Sequence, residues 1–222
     1  MWNVAYTIVA GIMLSTLHQS SLGALYLLMP EKMSELWATN AIGPLFFTSA
    51  VIGGLSVVTL ESIISSWAYG RKLELDLLSS LSKGLGMALL VYFAMKVTDL
   101  YARRVTVWQL DWVHFWFYVE LFGTVALPAL LITFREIRES RKGLLWVAGL
   151  SAFGVLLNRF NVSLTSYGGY RQIPYFPSLF EIIITVGMVA GGVLIFDFLT
   201  QNLPVYHEEL VSHGEPTQPA AG

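Results

Sequence analysis

Residues 6–29 read YTIVAGIML, STLHQSSLG and ALYLLM in succession, and this stretch decides the fold class. Its two outer parts are apolar, whereas seven of the nine central residues, 15–23, are polar or glycine. A helix of about 20 predominantly apolar residues crosses a hydrocarbon core of about 30 Å, and this stretch is long enough to do so. It therefore predicts a membrane-spanning helix with a polar centre.

The composition of the whole chain is that of a membrane protein. Of its 222 residues, 55% are hydrophobic and 13% are charged, against about 25% charged in average soluble domains. The mean hydropathy is +0.62. The net charge of −2 and the lack of a basic run do not indicate a nucleic-acid partner. The absence of cysteine excludes disulfides and cysteine-ligated zinc or iron–sulfur clusters, so we expect no metal site of that kind.

The apolar pattern predicts an all-α membrane protein of about six transmembrane helices in an antiparallel bundle, without β-sheet. The N-terminus has no positively charged region or small-residue cleavage site, so the first span is read as a helix and not as a signal peptide. This transmembrane domain covers 1–203, and the polar tail 204–222 is predicted to be disordered. The predicted spans are 2–29, 44–68, 75–101, 110–134, 144–164 and 179–199.

The distribution of basic residues predicts the orientation of the chain. The connections at 70–72 and 135–143 carry more Lys and Arg than those on the opposite side, so both termini are predicted to be cytoplasmic. The stretch 166–178, SYGGYRQIPYFPS, would then face the outside of the membrane. Its aromatic and basic side chains are candidates for docking a partner: Tyr170, Arg171, Tyr175 and Phe176.

Ten ionisable residues fall within or at the ends of the predicted spans. An ionisable side chain at mid-membrane depth costs about 2.5–3.5 kcal/mol on insertion scales, so each needs a reason. They are His18, Glu61, Lys83, Lys96, Asp99, His114, Glu120, Arg159, Glu181 and Asp197.

Several of these residues have a structural explanation. Ser178 and Glu181 have the spacing of a capping box at a helix N-terminus. Lys96 and Asp99, three residues apart, are predicted to form a salt bridge on one helical face. Arg159 lies near the end of its span, where a long side chain can reach the interface or pair with another charge.

Glu61 and Glu120 have apolar neighbours on both sides, in SVVTLESII and FWFYVELFG. Because glutamate is too short to reach the interface, both are predicted to face the bundle interior. Each would be protonated or paired with a basic residue such as Lys83. If it is unpaired, the Lys83 side chain is long enough to reach the membrane interface. A buried carboxyl of this kind either passes protons or forms a static pair, and the sequence leaves both open.

His18 is the central polar group of the first predicted span, followed by Gln19 and Ser20. Such side chains either hydrogen-bond neighbouring helices together or bind a quinone carbonyl or relay a proton. His18 and His114 could also ligate a b-type haem. However, His114 lies only about a turn into its span whereas His18 is central, so their depths match poorly.

Four stretches carry a resemblance to a known family. LHQSSLGALYLL, PLFFTSAVIGG, LNRFNVSLTSYGGY and YFPSLFEIIITVGMVAGG occur in the family's order and together span about residues 5–204. They resemble the membrane subunit of periplasm-facing nickel–iron hydrogenases, within the NrfD/HybB-type, polysulfide-reductase-like group. Members of that group are commonly about twice this length. The chain resembles their back half, so a second membrane chain would supply the front helices, or those helices lie outside this sequence.

The resemblance implies an integral membrane subunit with no haem of its own. Such a subunit anchors a periplasmic, ferredoxin-like iron–sulfur partner, or receives electrons from a multihaem cytochrome c, and exchanges them with menaquinone or ubiquinone. In the group the quinone pocket is attributed to the front helices. The family pattern also occupies several candidate positions here: His18, Gln19, Ser20, Glu61, Lys96, Asp99, Glu120, Arg159 and Glu181. With Lys83, these are the candidates for a quinone site or proton path.

The sequence therefore favours a membrane subunit of a respiratory quinone oxidoreductase complex that is not catalytic alone. Three alternatives remain: a purely structural anchor, a b-type cytochrome using His18 and His114, and a transporter. The transporter alternative depends on the glycine pairs 53–54 and 191–192, which do not form a convincing repeat.

Overall fold

The computed structural model of the chain describes residues 2–68, 73–109, 111–166 and 177–202. Those residues contain helices and connections and no strand, which confirms the all-α prediction. The helices are α1 (Trp2–Leu25), α2 (Ile42–Ala68), α3 (Leu75–Ala102), α4 (Trp112–Tyr118), α5 (Leu127–Thr133), α6 (Arg135–Arg138), α7 (Arg141–Phe160) and α8 (Leu179–Asn202). Two π-helices, π1 (Val119–Ala126) and π2 (Asn161–Thr165), continue α4 and α7 without a break.

Four helical runs of the described chain are long and apolar enough to cross a membrane. They are Ile42–Ala68, Leu75–Ala102, Trp112–Thr133 and Arg141–Thr165, and they match the second to fifth predicted spans within a few residues. The first and last predicted spans are helical, as α1 and α8, but are not among the four, and the apolar part of α8 is the shorter Leu179–Ile195. The count of six spans is therefore not confirmed.

The chain divides into two units, residues 1–175 and 176–222. In the second unit, α8 begins with the predicted capping box. The Ser178 backbone N–H donates to Glu181 Oε2 at 3.3 Å, and the Glu181 N–H donates to Ser178 Oγ at 3.4 Å. Glu181 thus stabilises the start of a helix, as its position in the sequence predicts. The predicted tail, 204–222, lies outside the described residues.

In the first unit, α2 packs against α1, α3 and α7, and α3 packs against α5 and π1. Glycine permits the closest of these approaches. A Cβ added at Gly23 of α1 would lie 2.9 Å from the ring of Phe46 on α2, and one at Gly86 of α3 would lie 2.9 Å from Ile132 on α5. Small residues at helix crossings are characteristic of membrane bundles.

The connection between α1 and α2 closes one end of this bundle. Within it, the 30–41 segment buries Leu36 and Trp37 to 1% exposure in a core cluster with Phe46 and Phe117. Its backbone is fixed from two sides: the Ser34 N–H donates to Ser166 O at 3.0 Å, and Arg103 donates to Glu35 O at 2.7 Å. The segment therefore belongs to the core rather than forming a free loop.

Candidate functional site

A buried carboxylate, Glu120, forms the centre of a polar network inside the bundle. Its side chain is 1% exposed and accepts three hydrogen bonds. Trp37 Nε1 donates to Oε2 at 3.1 Å, Asn161 Nδ2 donates to Oε2 at 2.7 Å, and Asn158 Nδ2 donates to Oε1 at 2.7 Å. The donors come from the 30–41 segment, α7 and π2. Charge-assisted bonds of this kind hold a carboxylate in one position away from water.

The two π-helices create this geometry. Glu120 lies in π1 and Asn161 begins π2, and such wide turns are frequent at functional sites. Thr124 Oγ1 donates to the Glu120 carbonyl, four residues earlier, at 2.7 Å. Gly154 of α7 lets the two runs approach, because a Cβ there would lie 2.4 Å from Thr124 Oγ1. The face of α7 that carries Asn158 is thereby brought against π1.

Lys96 of α3 is buried to 2% exposure beside the carboxylate. Its Nζ lies 5.5 Å from the ring centroid of Phe117 and 5.8 Å from that of Trp37, and the two rings pack edge to face. Lys96 also interacts electrostatically with Glu120 and Asp99. A buried ammonium is tolerable when aromatic faces and a nearby carboxylate replace water.

The predicted salt bridge between Lys96 and Asp99 is wrong. Asp99 pairs with Arg103, whose Nη2 lies 2.6 Å from Asp99 Oδ2, and it also accepts from Thr39 Oγ1 at 2.5 Å. Within the described residues no ion pair closer than 4 Å joins Lys96 to Asp99. Asp99 is thus engaged at the closed end of the bundle, by an arginine one turn further along its own helix.

Arg159 connects the Glu120 network to α1 and α2. Its guanidinium lies 3.6 Å from the ring centroid of Phe46, and Nη2 donates to Ser49 Oγ at 2.9 Å and to Gln19 Oε1 at 3.4 Å. Nη1 donates to Asn158 Oδ1 at 3.1 Å. These acceptors are neutral, so Arg159 turns into the bundle as a hydrogen-bond donor.

Glu61 and Lys83 lie outside this network. Both are exposed on the described chain, so the prediction that Glu61 faces the interior is wrong. The buried stripe of α2 includes Thr59 and Ile63, and Glu61 lies midway between them on the opposite face of the helix. Lys83 likewise lies outside the buried stripe of α3 and pairs with neither glutamate within 4 Å among the described residues.

The polar centre of α1 is only partly drawn into the bundle. Gln19 and Ser20 are half-buried, and the Ser20 carbonyl lies 3.6 Å from where a Cβ of Gly43 on α2 would be. His18 is exposed, so within the described chain it lies on the outside of the helix pair. The four docking candidates Tyr170, Arg171, Tyr175 and Phe176 lie outside the described residues.

His114, the second histidine of the haem alternative, is buried and engaged at both ring nitrogens. Nδ1 lies 2.7 Å from Asp111 Oδ1, and Nε2 lies 3.2 Å from the Thr106 carbonyl. Asp111 caps α4 by accepting from the His114 backbone N–H at 2.8 Å, and this bond holds the pKa of its carboxyl below the usual value. Ligation of a metal by His114 would require breaking one of these contacts. Within the ranges that the structure describes, no group of three or more His, Asp or Glu side chains could hold a metal ion.

A cleft of about 500 Å³ opens at the closed end of the bundle. It lies between the 30–41 segment and the connection that leads into α4. Carboxylates outnumber ammonium groups in its lining, which includes Glu31, Lys32, Glu35 and Asp111.

Four members of the Glu120 network do not figure among the residues predicted from the sequence: Trp37, Asn158, Asn161 and Tyr92, whose Oη accepts from Asn158 Nδ2 at 3.2 Å. Asn158 and Asn161 were detectable, because the NRFN stretch places two amides three residues apart inside an apolar span. Trp37 was not, because it precedes the second span in a stretch that looks like an ordinary connection.

Several apolar helices of membrane length, with a carboxylate, amides and a lysine buried between them, define a polytopic membrane protein with an internal ionisable site. Residues 2–169 match the family model described as polysulphide reductase, NrfD, and the chain belongs to this family. The resemblance predicted from the sequence is thereby confirmed.

The chain is also similar to individual curated proteins. A protein from Nitratidesulfovibrio vulgaris is 33% identical over 216 residues, which cover 89% of this chain and 53% of that protein. The probable Ni/Fe-hydrogenase 2 b-type cytochrome subunit of Escherichia coli is 27% identical, covering 90% and 52%. The integral membrane subunit of menaquinone reductase from N. vulgaris is 26% identical, covering 90% and 53%. The chain thus spans about half the length of these relatives. No solved structure matches it.

Proposed function

We propose that this chain is an integral membrane subunit of a respiratory quinone-linked oxidoreductase complex. It passes electrons between a periplasmic iron–sulfur or multihaem cytochrome partner and the menaquinone or ubiquinone pool, in a bacterial or archaeal inner membrane with both termini cytoplasmic. The names of two relatives, a hydrogenase subunit and a menaquinone reductase subunit, support this role. In this proposal the chain ligates no cofactor itself, and a quinone binds at or near its interface with a second membrane chain.

The observation that carries the proposal is the carboxylate of Glu120, buried inside a membrane-length helical run beside Lys96. Quinone reduction takes up protons as well as electrons, so a complex of this kind needs ionisable groups inside the membrane. Glu120 is the group that holds a proton in this proposal, and Lys96 balances its charge when the proton leaves. Asp99 and Arg103 would continue the path toward the closed end of the bundle.

The partner-facing side is proposed to be the closed end of the bundle. The distribution of Lys and Arg among the connections supports a position for the closed end on the outer side of the membrane. The cleft between Glu31, Glu35 and Asp111 provides a concave acidic surface there for a peripheral redox subunit. The aromatic stretch containing Tyr170 and Tyr175 remains a proposed anchor for the same partner. The second membrane chain is proposed to cover the exposed side of α1 that carries His18.

The test begins with gentle detergent purification through a tag on this chain. Mass spectrometry should recover a second membrane subunit with iron–sulfur or cytochrome partners, and a visible spectrum of the isolated chain should show no bound haem. Recovery of the chain without any redox partner would contradict the proposal. A haem spectrum from the chain alone would instead support the b-type cytochrome.

The role of Glu120 is then tested with Glu120→Gln in the complex. Glutamine retains an acceptor oxygen but cannot hold and release the proton, so quinone-linked turnover should fall by about 100-fold while the complex still assembles. Glu139→Gln is the matched control, because Glu139 forms an exposed pair with Arg135. Full turnover in Glu120→Gln would remove the proton role. Loss of assembly before loss of turnover would favour the purely structural anchor.

A further inference from the structure

A small internal cavity lies next to Glu120, between α2, α3, π1 and α7. Ten of its eleven lining residues are buried, so its wall is formed by the interior of the bundle. Its volume, measured for the centre of a water molecule, is about 10 Å³, and one water needs about that much room. Six of the lining side chains are polar: Ser49, Tyr92, Glu120, Thr124, Ser151 and Asn158.

One of these polar groups lacks a protein partner. Ser151 is 1% exposed, and its Oγ is buried without a hydrogen bond to any described residue. The other buried hydroxyls of the bundle behave differently: Ser56 Oγ donates to Ile52 O at 2.7 Å, and Thr124 Oγ1 donates to Glu120 O at 2.7 Å. A helical serine can ordinarily bond the carbonyl four residues earlier. Since a buried hydroxyl without a partner is costly, Ser151 points to a partner that is not protein.

Two neighbours in the cavity have hydrogen-bonding capacity to spare. Tyr92 Oη accepts from Asn158 Nδ2 at 3.2 Å, and no acceptor among the described residues takes the Tyr92 proton. The Glu120 carboxylate accepts three bonds from protein, whereas a carboxylate can accept about four. A molecule in the cavity could therefore accept a hydrogen bond from Tyr92 and donate one to Glu120. It could donate to or accept from the Ser151 hydroxyl.

We infer that this cavity binds one water molecule, held by Ser151 Oγ and Tyr92 Oη beside the Glu120 carboxylate. An apolar molecule would leave Ser151 unsatisfied. The water extends the Glu120 network along α7, since Ser151 lies seven residues before Asn158, or about 10 Å nearer the end of the bundle opposite the 30–41 segment. Its binding follows from the cavity alone. Its use as a proton carrier to Glu120 rests on the proposed function.

Ser151 is a positioning residue in this inference, and two variants test it. Ser151→Ala removes the hydroxyl that holds the water. Ser56→Ala is the matched control, because it removes an equally buried hydroxyl that is already satisfied within its own helix and does not line the cavity. Both variants introduce the residue with the highest helix propensity.

The first measurement is a cryo-electron-microscopy map that resolves ordered water in the wild-type protein, in whatever assembly it purifies, and the second is the thermal midpoint of each variant. We expect density between Ser151 and Tyr92, loss of that density in Ser151→Ala, and a lower midpoint for Ser151→Ala than for Ser56→Ala. A dry cavity predicts the opposite sign, since removing an unsatisfied hydroxyl raises the midpoint. A higher midpoint, or a map with water elsewhere but none here, would overturn the inference. Neither readout needs turnover, so failure of the proposed function would leave the water site intact.

Discussion

Replacing Glu120 by alanine removes the one acceptor that three buried N–H groups share. Trp37, Asn158 and Asn161 each donate to it at 2.7–3.1 Å, and Lys96 loses one of the two carboxylates with which it interacts electrostatically. Each buried donor left without a partner costs about 1–3 kcal/mol. Partial relaxation recovers some of this, and we expect a net loss of about 3–5 kcal/mol in the free energy of unfolding, as for other broken buried charge pairs.

For a chain of this size, that loss corresponds to a fall in the thermal midpoint of about 6–20 °C, at about 2–4 °C per kcal/mol. Intrinsic fluorescence is a suitable assay because the chain has seven tryptophans, and Trp37 lies in the network itself. Glu139→Ala is the matched control, since Glu139 forms an exposed pair in a connection between the spans and should change stability by no more than about 0.5 kcal/mol. If the midpoints of the two variants differed by less than about 2 °C, the reasoning that Glu120 holds the bundle together would be refuted.

Three further changes test the surroundings of the site. Trp37→Phe removes the indole donor but keeps an aromatic ring near Lys96, so it should cost about 1.5–3 kcal/mol in a denaturant titration. Gly154→Ala forces a methyl group into a neighbouring turn and should cost about 1–3 kcal/mol, whereas Gly149→Ala enters open space and should gain up to about 1 kcal/mol. The lowered pKa of Asp111 means that its charged form stabilises the fold. That contribution is present above the ordinary pKa of about 3.9 and is lost as pH falls through the lower value of the folded state, so Asp111→Ala should remove this acid sensitivity.

Each of these outcomes can fail. Equal stability of Trp37→Phe and wild type would show that the indole hydrogen bond is not formed. If Gly154→Ala were as stable as wild type, α7 and π1 would be further apart than described. Unchanged acid unfolding of Asp111→Ala in a stability curve between pH 2 and pH 6 would contradict the cap.

The sequence predicted the positions of the four membrane-length helical runs to within a few residues, because long apolar runs ended by charged or proline-containing stretches leave little choice of boundary. The first and last predicted spans are not confirmed as spans. The sequence also predicted the Ser178–Glu181 cap, whose signal is entirely local. The same argument, from apolar neighbours in the sequence, predicted an interior position for both Glu120 and Glu61. The prediction is correct for Glu120 and wrong for Glu61. An apolar neighbourhood indicates membrane depth, whereas the direction of a side chain depends on which face of the helix the neighbouring helices cover.

The partners of the charged groups were less predictable than their positions. Spacing along α3 allows Asp99 to pair with Lys96 or with Arg103. The fold selects Arg103, because that side chain can also bind the carbonyls of the 30–41 segment. Lys96 is drawn toward Trp37 and Phe117, and no short-range pattern connects those three residues. The π-helices were not predicted either, since their sequences do not differ from α-helical ones in apolar periodicity.

The burial of Trp37 limits where residues can be inserted into or deleted from the chain. Connections between helices ordinarily accept tags, epitopes and changes of length, and topology mapping by reporter insertion depends on that tolerance. Here the stretch before α2 carries a core side chain whose reach to Glu120 is fixed, so adding or removing a single residue would withdraw the indole. We expect a reporter inserted at 30–41 to prevent folding, so its signal would not indicate on which side of the membrane this segment lies.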